Sequence, residues 1–443
     1  MEKRVVITGL GVVAPNGVII PEYLKALKEG ISGIRHFPEL AKYKFLCEVG
    51  GKPPVMAESS QSFENQYNLI KLRSRGILYG CMAGIEAWQN AGLTFVDPKS
   101  TVPDWESGCI FGSNTNGLEA IEQAILLTDQ GNVRKIGGRA AQQAMNSGIS
   151  AYLGGVLGLG NQITTNSSVC NTGSESILES YYRIKFGLAE RMLAGSSEGS
   201  SHHVWAAYDA MMCNDSIFLP RTGFSYAMAH GYSDKPEQAC KPMSRYAAGF
   251  VPGSGAGALV LESLCSAQSR GAKIYAEIVG GSLNSGAGEM NGGLMNASEL
   301  SMKRCIEQSL LSAKIDGSGI GLISGHLTAV PALDLTEIKA WSAALRRVGQ
   351  TFPPINSTKS MTGHCFGAAG SIELVAAVLE LHHDFIHPSL NAKALQPEIE
   401  DLIGDHSVPD SSASRIQADY LIKGSFGLGG SNSCIVLKKW RDN

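Results

Sequence analysis

The sequence lacks a long apolar run and a strong net charge. Its most apolar glycine-rich stretch, residues 148–160, is interrupted and shorter than the ~18 residues that a membrane-spanning helix needs. The formal net charge of -3 provides no general attraction for nucleic acid or for an anionic membrane. We therefore expect no nucleic-acid partner and no membrane association, and an acidic partner would have to be bound by a local basic patch.

Disulfide and metal motifs are also missing. The ten cysteines form no CxxC pair and no zinc-ligand spacing, which favours reduced thiols over a disulfide framework. Met1–Gly9 leads directly into a strand pattern instead of a signal peptide, so we expect a cytoplasmic protein. Clustered histidines lack Cys, Asp or Glu at ligand spacing, and we expect no metal there. These histidines are His202, His203, His382, His383 and His387.

What the sequence does contain is enough apolar residues for a large core. Of its 443 residues, 44% are hydrophobic and 17% are charged. Strand and helix patterns alternate, which indicates an α/β protein with mostly buried sheets. The strand candidates are Arg4–Gly9, Gly108–Gly112, Ala189–Ser196 and Gly255–Leu261. The helix candidates are Glu22–Lys28, Leu72–Asn90 and Ser174–Phe186.

Cys170 is the most informative single residue. A short β-prone stretch from Ile163 leads through small residues to this thiol, and an apolar-periodic run from Leu178 to Leu188 then predicts a helix. Unpaired N–H groups and the helix dipole at a helix start favour an anion, which raises the reactive fraction of a thiol. We interpret Cys170 as a candidate nucleophile; the alternative is a small buried hydrophobic side chain.

Residues 356–373 repeat the sequence pattern of the Cys170 segment. Both segments run from a polar strand end through a reactive residue and a small-residue turn into an apolar helix, which is Leu374–Leu381 in the second case. Two copies of one βα unit would bring Cys170 and His364 into one cleft if the halves pack about a pseudo-two-fold axis.

The boundary between the halves is placed after a closing strand, Gly255–Glu262. The sequence thus predicts an N-terminal half, residues 1–262, and a C-terminal half, residues 263–443. The irregular segment Asn214–Pro242 is interpreted as a surface or entrance excursion.

Two histidines and a glycine-rich turn supply further candidate groups. His326 lies in a Gly- and Thr-containing turn that ends at Pro331, and His364 lies in Thr362–Gly367. The segment Lys423–Asn432 holds a Phe-Gly-Leu-Gly-Gly turn, which allows close backbone approach and can direct N–H groups at an oxyanion. Each signal alone is weak, because a lone histidine is more often packed or solvated.

The combination is specific. Its order and spacing resemble the β-ketoacyl-[acyl-carrier-protein] synthases of the elongating, two-histidine type, close to the synthase II group. The opening Val5–Gly17 and the segment Gly249–Glu262 are also similar to that family, so the resemblance covers the whole chain. The residues that carry the resemblance at the site are Cys170, His326, Lys359, His364 and the Phe426–Gly430 turn.

This resemblance implies a fold and an assembly. The expected fold is thiolase-like, a five-layered αβαβα sandwich built from two related halves. The expected assembly is a homodimer, with a heterodimer with a related ketosynthase as the alternative. The expected partner is an acyl-carrier protein, whose phosphopantetheine carries the substrates, and no metal or organic cofactor is required.

The resemblance also implies a reaction. Cys170 accepts an acyl chain as a thioester, and the N–H groups of Cys170 and Phe426 hold the oxyanion. Malonyl-carrier protein then loses carbon dioxide, and its enolate attacks the acyl carbonyl to give 3-oxoacyl-carrier protein. His326 and His364, both neutral, donate hydrogen bonds to the malonyl thioester oxygen as charge develops there.

Four further residues receive supporting roles by resemblance. Lys359 and Glu373 match positions that orient His364 and its surroundings. Thr328 matches a residue that contacts pantetheine, and Thr115 matches a pocket-floor position.

The chain departs from the family pattern in several places. Leu327 adds bulk where glycine is usual and Val330 lacks an expected hydroxyl, which predicts altered pantetheine binding. Ser254 stands where glutamate is common. Gly137–Gln143 carries smaller and more polar side chains than elongating synthases have, which predicts a roomier acyl tunnel for a polyene, aryl or otherwise functionalised chain of a specialised fatty-acid or polyketide pathway.

Other functions stay open at this point. Lys71, Arg73 and Arg75 match a carrier-protein docking region or form an ordinary solvated face. A non-catalytic or weakly active chain-length-factor-like partner of another ketosynthase is the main alternative function, although such subunits commonly lack the nucleophile. A thiolase would carry a second cysteine in the C-terminal glycine turn, and a cysteine hydrolase would release a free acid instead of an elongated chain.

Overall fold

Long, apolar strands form the centre of the molecule, and two of the nine-residue strands are buried along their whole length. The computed structural model describes residues 2–69, 72–97, 99–214, 224–286, 297–410 and 412–441. The strands are β1 Val5–Val13, β2 Ile34–His36, β3 Val49–Gly51, β4 Ser107–Gly112, β5 Ile163–Thr164, β6 Arg191–Glu198, β7 Met212–Asn214, β8 Phe224–Tyr226, β9 Gly255–Ser263, β10 Ala276–Ser285, β11 Ile320–Ser324, β12 Ile355–Asn356, β13 Phe385–Ile386, β14 Ser414–Arg415, β15 Tyr420–Phe426 and β16 Ser431–Lys439.

The structure describes fourteen α-helices, and each of the four segments that the sequence predicts to be helical lies largely within one of them. The third helix starts at Arg75 instead of Leu72 because the Ser74 side chain accepts the N–H of Ile77 and caps it. None of the helices that the structure describes is both long and apolar enough to cross a membrane. The helices are α1 Ile20–Glu29, α2 Ala57–Gln66, α3 Arg75–Asn90, α4 Leu118–Asp129, α5 Ala140–Ala144, α6 Gly148–Leu157, α7 Thr172–Lys185, α8 His202–Asp209, α9 Leu264–Ser269, α10 Glu299–Ala313, α11 Pro331–Leu345, α12 Lys359–Thr362, α13 Ala369–His383 and α14 Pro397–Ile403.

Ten strands form one hydrogen-bonded sheet made of two matching sets of five. Its order is β12-β11-β15-β16-β10-β1-β9-β6-β4-β5. On each side of the β10–β1 junction, the two outer pairs are parallel and the two inner pairs are antiparallel. The junction is short, from Val5 opposite Ile278 to Ile7 opposite Ala276. One five-stranded unit is therefore used twice.

Helices complete five layers. α7 and α13 contact each other and strands of both sets, so they lie between the two halves of the sheet. α3 packs on β1, β6 and β9, and α10 packs on β10, β16 and α11, which covers the outer faces. The predicted α/β class and the αβαβα sandwich are confirmed.

Two glycines let the central helices touch. A Cβ on Gly173 would lie 2.5 Å from the backbone nitrogen of Ser371, and one on Gly370 would lie 2.6 Å from the Ser174 hydroxyl. Both positions are in the first turns of α7 and α13, and larger side chains would force these turns apart. The close approach brings the segments that precede the two helices together, and those segments carry Cys170 and His364.

Candidate active site

Cys170 lies in a single tight turn, Val169–Asn171, directly before α7. Val169 has a φ of 53°, which is strained for a β-branched residue. The Thr172 hydroxyl stabilises the turn, because it accepts the N–H of Ser168 at 2.8 Å and donates to the Val169 carbonyl at 2.7 Å. The sulfur is thus held at the start of a helix, as the sequence predicts.

Both candidate histidines converge on this sulfur. Nε2 of His364 lies 3.0 Å from the Cys170 sulfur. The rings of His326 and His364 meet edge to face, with centroids 5.4 Å apart. One side-chain donor or acceptor atom from each of the three residues lies within 4.8 Å of the others, and each residue is only 4% exposed. Residues far apart in the chain therefore share one buried chamber.

Lys359 contacts His326, and not His364 as the resemblance suggested. Its Nζ lies 3.2 Å from Nδ1 of His326 and donates to the His326 carbonyl and to Glu373, each at 2.5 Å. An ammonium only donates, so Nδ1 of His326 must accept and the proton of the neutral ring is on Nε2. By contrast, Nδ1 of His364 has no hydrogen-bond partner among the described residues.

The electrostatics favour neutral imidazoles and a protonated thiol. Burial, followed by the charge of Lys359, holds the pKa of His326 and of His364 well below its usual value. Burial raises the pKa of the Cys170 thiol to about 11, although the N–H of Leu428 and the Lys359 charge act in the opposite direction. The predicted activation of the thiol by the helix start is therefore outweighed by desolvation, and the proton of the thiol needs an acceptor.

Two carboxylates that the sequence analysis missed hold the backbone around His326. Glu337 accepts the N–H groups of His326 and Leu327, each at 2.7 Å, and that of the Trp341 indole at 3.0 Å. The pattern that could have revealed it is a pair of acidic residues three apart at the start of a predicted helix.

Asp334 is the second of these carboxylates. It accepts the N–H groups of Met243 and Thr328 at 2.8 Å and that of Ala329 at 3.2 Å. Ala329 has a φ of 70°, so the carboxylate stabilises a turn that is unfavourable for a residue with a side chain. The turn that carries His326 is thus rigid on both sides.

The glycine turn closes the site from another direction. A Cβ on Gly427 would lie 3.4 Å from the backbone nitrogen of Cys170. The N–H of Leu428 hydrogen-bonds the Cys170 sulfur, whereas Phe426 is paired with Asn432 at the end of β15. Sequence reasoning could not find Leu428, because its contribution is a backbone group that any residue supplies.

One cavity contains these groups, and Thr328 and Val330 also line it. The Thr328 hydroxyl is buried there without a hydrogen-bond partner among the described residues. Leu327 is different, because its side chain is fully buried in the C-terminal core and packs against Gly325. The added bulk of Leu327 therefore lies in the core, whereas Val330, which lacks the expected hydroxyl, lines the cavity.

Aromatic rings form one wall of the cavity. Tyr208 stacks on Phe366 with ring centroids 4.3 Å apart, and Phe250 packs edge to face on His364 at 5.7 Å. All three aromatic residues line the cavity with His364. No local pattern in the sequence marks these three residues, because they come from separate segments.

Other predicted positions lie elsewhere. Thr115 is not among the described lining residues of the cavity; its hydroxyl donates to Glu198 at 2.5 Å. Gly137–Gln143 borders a separate, open apolar cleft on the surface. The predicted pocket-floor and tunnel positions are therefore not part of the cavity in a single chain.

The remaining sequence features are peripheral. Lys71 and residues 215–223 of the predicted excursion lie outside the described residues. Arg75 is exposed, and Arg73 donates to the Ile136 carbonyl at 3.2 Å. His203 contacts Glu122 at 3.1 Å.

Comparison with known proteins gives two family matches. Residues 2–267 match the model of the beta-ketoacyl synthase N-terminal domain, and residues 275–393 match that of the C-terminal domain.

Full-length relatives agree. The chain is 32% identical to 3-oxoacyl-[acyl-carrier-protein] synthase 2 of Vibrio harveyi, over 99% of both chains. It is 30% identical to 3-oxoacyl-[acyl-carrier-protein] synthase 1 of Escherichia coli, over 99% of this chain and 100% of that one. It is also 30% identical to a putative polyketide beta-ketoacyl synthase 1 of Streptomyces halstedii, over 99% and 98%.

Solved structures show the same likeness. A beta-ketoacyl synthase from Burkholderia phymatum superposes with a TM-score of 0.84 at 26% identity, over 99% of this chain and 100% of that one. A type II polyketide synthase acyl-carrier protein in complex with its ketosynthase bound to the hexaketide gives the same TM-score, identity and coverage.

Proposed function

The chain belongs to the beta-ketoacyl synthase family, a family of acyltransferases, and from that premise we propose a specific reaction. It condenses an acyl chain held on Cys170 with malonyl-acyl-carrier protein, with loss of carbon dioxide, to give 3-oxoacyl-acyl-carrier protein. The observation that carries this proposal is the convergence of one sulfur and two imidazoles within 4.8 Å in one buried cavity. A chain-length-factor-like role has no comparable observation in its favour.

The first half of the reaction is transfer of the acyl chain. The Cys170 sulfur attacks the acyl-pantetheine thioester as its proton passes to Nε2 of His364, 3.0 Å away. Before this step the neutral ring of His364 carries its own proton on Nδ1, so that Nε2 can accept the thiol proton. Nδ1 has no hydrogen-bond partner among the described residues. The tetrahedral oxyanion collapses, the pantetheine thiolate leaves, and it takes the proton back from His364. The backbone N–H groups of Leu428 and Cys170, which both lower the pKa of the Cys170 thiol, are the proposed donors to this oxyanion.

The second half is decarboxylation and carbon–carbon bond formation. The malonyl thioester oxygen binds between the imidazole N–H groups of His326 and His364, with His364 now in the Nε2–H form. The carboxylate leaves as carbon dioxide, and the enolate carbon attacks the acyl-Cys170 carbonyl and expels the sulfur. Each donor contributes on the order of 3 kcal/mol to stabilising the developing charge. Loss of carbon dioxide makes the step directional.

Carrier-protein binding involves a channel and a surface. The free hydroxyl of Thr328 is a suitable hydrogen-bond partner for a pantetheine amide. The exposed Arg75 is a candidate contact for an acidic carrier protein. The aromatic wall of Tyr208, Phe250 and Phe366 favours binding of a planar polyene or aryl acyl chain over binding of a saturated one.

Assembly and compartment are also part of the proposal. β5 is an edge strand of the main sheet, and Ile125, Leu126 and Met145 are exposed apolar side chains of the same half. These features support a dimer formed by this half. Nine free cysteines among the described residues support a reducing, cytoplasmic compartment.

Intact-protein mass spectrometry tests the function. The protein is incubated with a panel of saturated, polyene and aryl acyl-carrier proteins, and malonyl-carrier protein is then added. We expect a stoichiometric acyl adduct on Cys170 that disappears as elongated 3-oxoacyl-carrier protein forms. Cys170→Ala should abolish the adduct, and Cys265→Ala, at an exposed thiol, should keep it. A stoichiometric adduct that survives Cys170→Ala, or release of free acid, would contradict the proposal.

A further inference from the structure

Lys423 is a buried lysine that the proposed reaction does not use. It is 1% exposed and lies on β15, three residues before Phe426. Its Nζ lies 2.9 Å from Oε2 of Glu373 and donates to the Ser425 hydroxyl at 3.0 Å and to the Gly424 carbonyl. A buried ammonium carries a large desolvation cost, so its presence beside the active site needs a physical reason.

Two lysines share one carboxylate. Lys359 occupies Oε1 of Glu373 at 2.5 Å, and Lys423 lies against Oε2. Glu337 is the next carboxylate, but its oxygens already accept the N–H groups of His326, Leu327 and Trp341. Lys359 alone would neutralise Glu373, so Lys423 adds a second positive charge to the group that holds His326.

Lys423 is also connected to the elements that carry the reacting groups. Glu373 lies in α13, the helix that follows His364. The Ser425 hydroxyl, which accepts from Lys423, is 2.8 Å from the hydroxyl of Ser174 in the first turn of α7, the helix that Cys170 precedes. Through these contacts the lysine links the glycine turn to both central helices.

The charge of Lys423 reaches both imidazoles. It acts in the same direction as Lys359 in lowering the pKa of His326 and of His364, although burial is the largest cause. Burial lowers the pKa of Lys423 itself, and the nearby Glu373 opposes that shift. The other titratable groups around this cluster are Tyr23, Cys170, Glu337, Cys365 and Cys434.

We propose that Lys423 is a positioning residue for the condensation. By holding Oε2 of Glu373, it fixes the carboxylate so that Oε1 keeps the Lys359 ammonium on Nδ1 of His326. Its positive charge also keeps the two rings uncharged, which is the state in which each can donate to the malonyl thioester. This inference rests on the donor role of the histidines in the proposed function.

The test removes this charge and follows pH. Lys423→Met removes the charge and keeps an unbranched side chain that is only one atom shorter. Lys439→Met is the matched control, because Lys439 is a mostly buried lysine of the adjacent strand β16 that pairs with Asp384. Two readouts are measured: kcat/KM for condensation from acid to neutral pH, and the titration of 13C-labelled imidazoles by NMR, assigned with His326→Gln and His364→Gln.

In Lys423→Met we expect the acid limb of kcat/KM and the imidazole titrations to move to higher pH by about one unit. This shift corresponds to about a tenfold loss of rate on the acid side of the limb, because one unit is a tenfold change in the protonated fraction. At pH values above this acid limb, kcat/KM of Lys423→Met should approach that of the wild type. Lys439→Met should keep the wild-type profile.

The outcomes separate this inference from the proposed function. If Lys423→Met is folded and both pH profiles match wild type, Lys423 is only structural and the inference is overturned, whatever its effect on kcat. If Lys423→Met does not fold, Lys423→Gln, which is uncharged but keeps a polar group in the buried site, is measured in its place with the same expectation. If His326→Gln and His364→Gln both keep wild-type condensation rates, the donor roles fail instead, and the NMR titration still reports on Lys423 alone.

Discussion

The two histidine turns of the site hold similar rings in different ways. His326 is fixed by polar contacts, with Lys359 on Nδ1 and Glu337 on its backbone N–H. His364 is fixed by packing between Phe250 and Phe366, and its Nδ1 has no partner among the described residues. The first ring is therefore locked in one tautomer, whereas the second can carry its proton on either nitrogen. A locked donor suits stabilisation of charge, and an unlocked ring suits proton exchange with a thiol 3.0 Å away.

The strongest test of this difference compares His326→Ala with His364→Ala. Each should reduce condensation by about 10²- to 10³-fold, because each removes a donor to the developing charge. Only His364→Ala should also slow the acylation of Cys170, since only this ring accepts the thiol proton. Single-turnover acylation, followed by mass spectrometry, separates the two steps. Equal acylation defects in both variants would remove the distinction between the two rings.

A smaller effect is expected when the contact that fixes the tautomer of His326 is removed. Lys359→Met removes the ammonium from Nδ1 and should lower kcat for condensation by about tenfold to hundredfold, consistent with loss of a buried charged hydrogen bond. The rate of acyl transfer to Cys170 should fall less than that of condensation, because Lys359 acts on His364 and on the thiol only through its charge. A variant whose acyl transfer falls as far as its condensation would contradict this assignment. Thermal unfolding of the variant controls for a general loss of structure.

The smallest effect concerns the packing that holds His364. Phe366→Leu removes a ring that stacks on Tyr208 at 4.3 Å and packs on His364 at 5.4 Å. Loss of such aromatic contacts is worth about 1 kcal/mol, so kcat/KM for a planar acyl chain should fall by about threefold to tenfold. Competition between a polyene and a saturated acyl-carrier protein measures the preference, with Phe186→Leu, at an exposed position, as the control. An unchanged preference would show that this wall does not select the chain.

The sequence predicted the parts of the site that local patterns encode. Cys170 and His364 were found because each stands before an apolar helix, and the repeat of that plan placed them in one cleft. The directions of long side chains were not predictable in this way. Lys359 is the first residue of α12 and contacts His326, which follows β11 by two residues, and the spacing of the sequence does not contain this tertiary relation.

The other misses have similar physical causes. The bulk of Leu327 was expected to alter pantetheine binding, but the side chain lies in the core beside Gly325 and not among the described lining residues of the cavity. The thiol of Cys170 was expected to be activated, but burial raises its pKa to about 11. Desolvation depends on the complete packing around a group, and local sequence does not report it.

The contact between Gly173 and Gly370 has a consequence for how this site can change. Because the two central helices touch there, the gap between sulfur and imidazole depends on two glycines that are not among the lining residues of the cavity. Substitutions of the lining residues that hold no reacting atom, such as Val330 and Leu333, can enlarge, narrow or polarise the cavity while the reacting atoms keep their separation. New acyl chains are thus accessible through changes in the lining, without a change in the helix contact that positions the reacting groups.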